Sequence, residues 1–116
     1  MALVGLLCIC TGCSTPAVVS ANRLAQGIAL FKQQSYDDAL TVFGRVIEDK
    51  KAPSEVQAEA LYWKAETLAA QGDITNAART AKRLVWDYPS TKWAGRYMGK
   101  LPIWLENKRT QPPPGN

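Results

Sequence analysis

Between Ala58 and Pro89 the chain reads AEALYWKAETLAAQGDITNAARTAKRLVWDYP, two runs of helical periodicity hinged on Gly72-Asp73. Val56, Ala60, Leu61, Ala65 and Leu68 recur at three- and four-residue intervals before the hinge, and Ile74, Ala77, Ala81, Leu84 and Val85 do so after it. That interval places each set on one stripe of an α-helix. Ser54-Glu55-Val56-Gln57, following Pro53, has the form of a capping box, and Gly72 is the residue type that ends a helix in a left-handed conformation. Two amphipathic helices joined by so short a turn fold back on one another. One such hairpin cannot bury its whole apolar surface, so the rest of the chain has to supply a cover.

The cover is a second copy of the same pattern. Gly27, Tyr36, Ala39 and Phe43 stand at the same relative offsets as Ala65, Ile74, Ala77 and Ala81, 38 positions earlier. In the first copy Leu24, Gly27, Ile28 and Phe31 form the outgoing stripe, Ser35 is the expected turn, and Tyr36, Ala39, Leu40, Phe43, Val46 and Ile47 form the returning one, with Ser20 or Asn22 as the expected first cap. Asp37-Asp38 reads as an acidic pair that stabilises the positive end of the returning helix. On these residues the chain resembles the tetratricopeptide family, through Gly27, Tyr36, Ala39 and Phe43 in one copy and Ala65, Gly72-Asp73, Ala77, Leu84 and Pro89 in the other. The period is four longer than the family's 34, the surplus lying in Asp49-Lys50-Lys51-Ala52-Pro53. Arg23 and Gln26 stand where the family usually has Trp and Leu. A third helix is expected from Ser90 or Thr91, with Trp93, Tyr97, Met98 and Leu101 inward and Gly99 in the register of Gly27 and Ala65. Pro102 is expected to kink or end it, and Ile103-Trp104-Leu105 to fold back as a cap. The expected fold is therefore all-α: about two and a half tetratricopeptide-like hairpins over residues 20–109, with a C-terminal capping helix and a disordered proline-rich tail over 110–116.

A different kind of segment opens the chain. Met1 to Cys10 is almost wholly apolar and carries no charge, too short to span a bilayer but long enough for the apolar core of a signal peptide. Thr11-Gly12-Cys13 at its end resembles the lipobox of bacterial lipoproteins, although Cys10 replaces the usual Leu and no Lys or Arg precedes the run. The resemblance implies a signal peptide over 1–12, lipid attachment at Cys13 and a tether over 13–19. Lipid chains on one residue would anchor the protein in a membrane. Ser14 is similar to the residue at that position in lipoproteins sent to the outer membrane. A short buried N-terminal strand or helix is the alternative reading.

All three cysteines, 8, 10 and 13, lie in or beside the leader, so the expected mature chain has no disulfide. The chain has no histidine, and a lone Cys-x-Cys-x₂-Cys cluster lacks a fourth ligand, so neither a metal nor a cofactor is expected. Nucleophile and base pairs for acyl transfer lack their usual members, and Ser35, Ser54 and Ser90 are explained by turns or caps, which points away from an enzyme. Charge divides the chain unevenly. From Arg79 onward eight basic residues face two acidic ones, a balance of +6, against six basic and eight acidic before it, a balance of −2. A basic pole interleaved with Trp86, Trp93, Tyr97 and Trp104 suggests nucleic acid in a cytosolic protein. In an exported one, an acidic protein, anionic lipid headgroups or an acidic polymer are the expected counterparts, with no nucleic acid.

The lipidated start and the Tyr-Pro-Ser closing the second copy are similar to two periplasmic tetratricopeptide families, the lipoprotein of the β-barrel assembly complex and the coordinator of peptidoglycan synthesis with outer-membrane constriction. The resemblance implies a lipid-anchored adaptor on the periplasmic side of the bacterial outer membrane, binding protein partners of the cell envelope. Two and a half repeats is a small core, so a homo-oligomer is also expected to be possible. A cytoplasmic interaction module with an unprocessed leader, or a purely structural oligomer, remains the alternative. In the family the first helix of each pair lines a concave groove, and the positions that carry over include Tyr62, Glu66, Trp93, Arg96 and Lys100. Tyr, Trp and Arg most often carry binding energy at interface centres. The competing reading is that Tyr62 and Trp93 pack between repeats, with Glu66 paired to Arg96.

Overall fold

The computed structural model describes residues 16–98, which form five helices in succession: α1 (Pro16–Lys32), α2 (Tyr36–Glu48), α3 (Ser54–Ala70), α4 (Ile74–Asp87) and α5 (Lys92–Met98). Helices α1 and α2 make the first hairpin, α3 and α4 the second, and α5 follows, packed on α3 and α4. Each inner helix packs on the next, α1 on α3 and α3 on α5, while α2 fits against α1 and α3 and does not meet α4. Helix α3 alone touches the other four. Cys13, Gly99, Lys100, Leu101, Pro102, the expected cap at Ile103 to Leu105 and the tail lie outside the described residues.

The apolar stripes point where the periodicity expects. Leu24, Ala39, Phe43, Val46, Ile47, Ala60, Leu61, Ala65, Ala81 and Leu84 form one buried cluster, joined by Trp93, Ala94 and Tyr97 from α5. Being central, α3 buries more than one stripe, adding Ala58 and Thr67. The Thr67 hydroxyl is satisfied by donating to the Trp63 carbonyl at 2.7 Å. Gly27 is the point of closest approach in the first hairpin. A Cβ built there would stand 2.5 Å from Phe43 Cε1 and 2.8 Å from Cδ1, so only glycine lets the Phe43 ring lie against the α1 backbone.

Both hairpins turn by the same device, 38 residues apart. The Gly72 amide donates to the Ala69 carbonyl and the Asp73 amide to Leu68, with Gly72 at φ +83°. In the first hairpin the Gln34 amide donates to Phe31 and the Ser35 amide to Leu30, with Gln34 at φ +65°. These paired bonds satisfy carbonyls that a helix end leaves open, and they require one left-handed residue. Glycine takes that conformation freely; glutamine does so at a cost of about 1 kcal/mol. The expected turn at Ser35 is therefore corrected to Gln34, with Ser35 as the cap residue of α2. We expect Gln34→Gly to raise stability by about 1 kcal/mol, and hence the melting temperature by a few degrees, measured by thermal denaturation. A lowered melting temperature would contradict the left-handed turn.

Three local expectations are corrected. Helix α1 begins at Pro16 instead of at Ser20 or Asn22, the fixed φ of proline suiting a first helical position. Ser20 is fully buried in α1, where its hydroxyl donates to Asp49 Oδ2 at 3.2 Å and ties the start of the first hairpin to its end. The capping box at Ser54 to Gln57 does not close, for Pro53 is the cap residue and makes no side-chain bond. Gln57 Nε2 donates instead to the carbonyls of Ile47 at 3.2 Å and Asp49 at 2.8 Å, and its Oε1 accepts from the Tyr88 hydroxyl at 3.0 Å. One side chain thus fastens the four-residue surplus between the hairpins. Met98, expected inward, is 53% exposed, and Ala94 takes the buried place beside Trp93 and Tyr97.

Candidate functional site

Tyr62 and Glu66 lie one turn apart on α3, and Trp93, Arg96 and Tyr97 project from α5 toward them. The two helices are held at that distance by Tyr97. Its buried hydroxyl donates to Glu66 Oε2 at 2.5 Å and lies 3.0 Å from the Tyr62 carbonyl oxygen. Burial first, and the neighbouring Glu66 carboxylate second, push the phenol pKa far above its usual value, so Tyr97 stays a proton donor throughout the accessible pH range.

Rings cover the rest of this contact. Tyr62 sits 5.0 Å from Tyr97 and 5.1 Å from Trp93, centroid to centroid, and 5.4 Å from Trp63 in an edge-on arrangement. Trp63 continues the row to Phe31, also edge-on at 5.4 Å, and Phe31 reaches Tyr36 at 5.8 Å. The row therefore runs across all three inner helices. Each such pair adds about 0.5–1.5 kcal/mol beyond area burial, so it joins the hairpins as well as lining their shared face. Above it stands Arg96, exposed, its guanidinium carbon 4.6 Å from the Trp93 centroid and 5.4 Å from that of Tyr62. The Lys92 ammonium lies 5.0 Å from the same indole.

The five expected groove residues therefore divide. Tyr62, Glu66, Trp93 and Arg96 are gathered around one α3–α5 contact, and Lys100 lies outside the described residues. Trp93 is only 7% exposed, and its buried Nε1 has no hydrogen-bond partner. It serves as floor, with Arg96 and the half-buried Tyr62 and Glu66 as the accessible part. Trp63 was missed by sequence reasoning because it neighbours Tyr62 and falls off the stripe. The available signal was its spacing from Glu59, whose Oε2 accepts from Trp63 Nε1 at 3.3 Å, one turn away. Among the described residues, no group of His, Cys, Asp and Glu could hold a metal ion, and no helix is long and apolar enough to cross a membrane.

A stack of helical hairpins whose inner helices share an aromatic, arginine-topped face defines a helical-repeat scaffold. The model of the tetratricopeptide repeat matches residues 24–90, more than half of the chain, and the protein belongs to that family. Tetratricopeptide repeats generally mediate protein–protein interaction and are typically non-enzymatic. Searches of curated proteins and of solved structures return no match to the chain.

Proposed function

We propose that the protein is a lipid-anchored adaptor, attached through Cys13 to the periplasmic side of the bacterial outer membrane, that holds a protein of a cell-envelope complex on its α3–α5 face. The observation that carries the binding site is the placement of an exposed guanidinium over a ring floor, with the Glu66 carboxylate beside it. A peptide laid across this face meets a cation, a carboxylate and aromatic surface at one contact between two helices. The rings are already packed, so binding does not have to order them first. The anchor is supported by Thr11-Gly12-Cys13 closing an apolar leader, three positions before the start of α1.

A photo-crosslinker at Arg96 in intact cells, read by mass spectrometry, identifies the protein held there. Binding of that protein to the purified chain is then measured with Arg96→Glu and with Tyr62→Ala plus Arg96→Glu. We expect at least a tenfold weaker dissociation constant for each, about 1.4 kcal/mol, with the Arg96→Glu melting curve unchanged. Unchanged affinity for Arg96→Glu would remove the face from the binding site. Palmitate labelling, lost in Cys13→Ala, tests the anchor separately, and an unlabelled wild-type chain would sink it.

A further inference from the structure

Helix α4 turns its Ala77, Ala81 and Leu84 side to the core, and Arg79, Lys82, Arg83 and Trp86 occupy the opposite side. Their spacing of three, four and seven residues puts all four on one face. Trp86 is 73% exposed, the most exposed of the large apolar side chains among the described residues, and stands at the C-terminal end of that face. The Lys82 ammonium lies 5.2 Å from its ring centroid. Arg79 donates from Nη1 to Asn76 Oδ1 at 3.3 Å, which leaves its charge uncompensated by that contact. Arg83 pairs with Asp87, one turn on, at 3.5 Å, with both side chains more than half exposed. Three cations thus share the indole's side of the helix, Lys82 against the ring and Arg83 paired with the carboxylate of Asp87.

We infer that this face of α4 docks on the surface of an anionic lipid bilayer, separately from the α3–α5 face. Tryptophan with lysine and arginine on one side of a helix is the combination that settles in the headgroup region, the indole at the boundary and the cations on lipid phosphates. The cations supply the charge complement of such a surface, each worth about a fivefold gain in partition near anionic lipid. A soluble polyanion without rings to stack would use the cations and ignore the indole. A folded acidic protein would need a pocket for the indole, whereas the headgroup region receives it anywhere along the plane. Exposed on a straight helical face, Trp86 has the shape that a plane accepts.

The test uses the full chain carrying Cys13→Ala, so that no attached lipid contributes. Sedimentation with phosphatidylcholine vesicles is compared with and without phosphatidylglycerol, and the ratio of the two partition coefficients is the readout, in which any binding by the apolar leader cancels. We expect a ratio of at least tenfold, falling near unity in Lys82→Glu with Arg83→Glu, and in Trp86→Ala we expect the partition coefficient onto the phosphatidylglycerol vesicles itself to fall at least threefold below that of the parent. Brominated phosphatidylglycerol should quench tryptophan fluorescence in the parent chain and quench it less in Trp86→Ala. All the substituted residues are exposed, so circular dichroism and melting should stay as in the parent. A ratio near unity in the parent overturns the inference. So does a high ratio with partition onto the phosphatidylglycerol vesicles unchanged by Trp86→Ala, which would assign the face to soluble polyanions or an acidic protein. Neither result bears on the α3–α5 site, since Arg96 is untouched.

Discussion

Gly27→Val is expected to unfold the first hairpin at temperatures where the parent chain is intact. Even the first carbon of the new side chain would stand 2.5 Å from the Phe43 ring, and that ring is fully buried, so it has nowhere to swing. Gaining a better helix former than glycine returns less than 1 kcal/mol, while overpacking a closed core costs about 3 kcal/mol. Small domains have only about 5–15 kcal/mol in total, and this one has few repeats over which to spread the damage. The melting temperature should therefore fall by 10 °C or more, roughly as expected for a domain of this size. Adding Phe43→Leu should recover part of the loss, because the smaller side chain vacates the space that valine needs. The double mutant would then be more stable than the sum of the single effects. A melting curve for Gly27→Val close to the parent's would show that α1 and α2 are not in contact at this point.

Ala77→Trp should have a comparable effect in the second hairpin. Ala77 is fully buried on the core side of α4, where a methyl group leaves no room for an indole. Accommodating one requires α4 to lift from α3, the helix on which every other helix rests. A loss of about 3 kcal/mol, with much of the helical circular dichroism signal lost near body temperature, is the expected outcome. The matched control is Arg79→Trp, which places the same side chain on the opposite, exposed face and should change stability by no more than about 0.5 kcal/mol. If the two variants melt alike, the register that puts Ala77 inward is wrong.

Most of the fold was legible because a helix writes its buried stripe into the sequence at a fixed interval. Leu61, Ala65, Ala77, Ala81 and Leu84 are read that way, and the 38-residue offset back to Gly27, Ala39 and Phe43 then gives the first hairpin. Gly72 announced its turn because it is glycine. Gln34 occupies the corresponding place without any left-handed signature, and the first turn was assigned one residue late. Gln57 matched a capping pattern, yet its amide reaches carbonyls of another helix and of the linker. A local motif cannot register a long-range competitor of that kind. Of the site, Tyr62, Glu66 and Arg96 were legible only through the resemblance to a repeat family. Trp63 follows Tyr62 directly and so falls outside any single stripe, and the Tyr97 bond to Glu66 depends on how closely α5 approaches α3.

The position of α3 also governs the order in which the molecule comes apart. Among the described residues every helix touches only helices near it in the chain, and α3 alone touches the other four. Local openings can therefore begin at α1 or at α5 while α3 stays shielded from solvent. Amide exchange should be slowest along Ala58 to Leu68 and faster toward both ends of the described chain. Contacts so local in sequence also favour rapid folding. A nucleus made of α3 with either of its neighbours in the chain can grow outward one helix at a time, and the α3–α5 face, which joins helices with a whole helix between them, is completed only after α3 and α4 have paired.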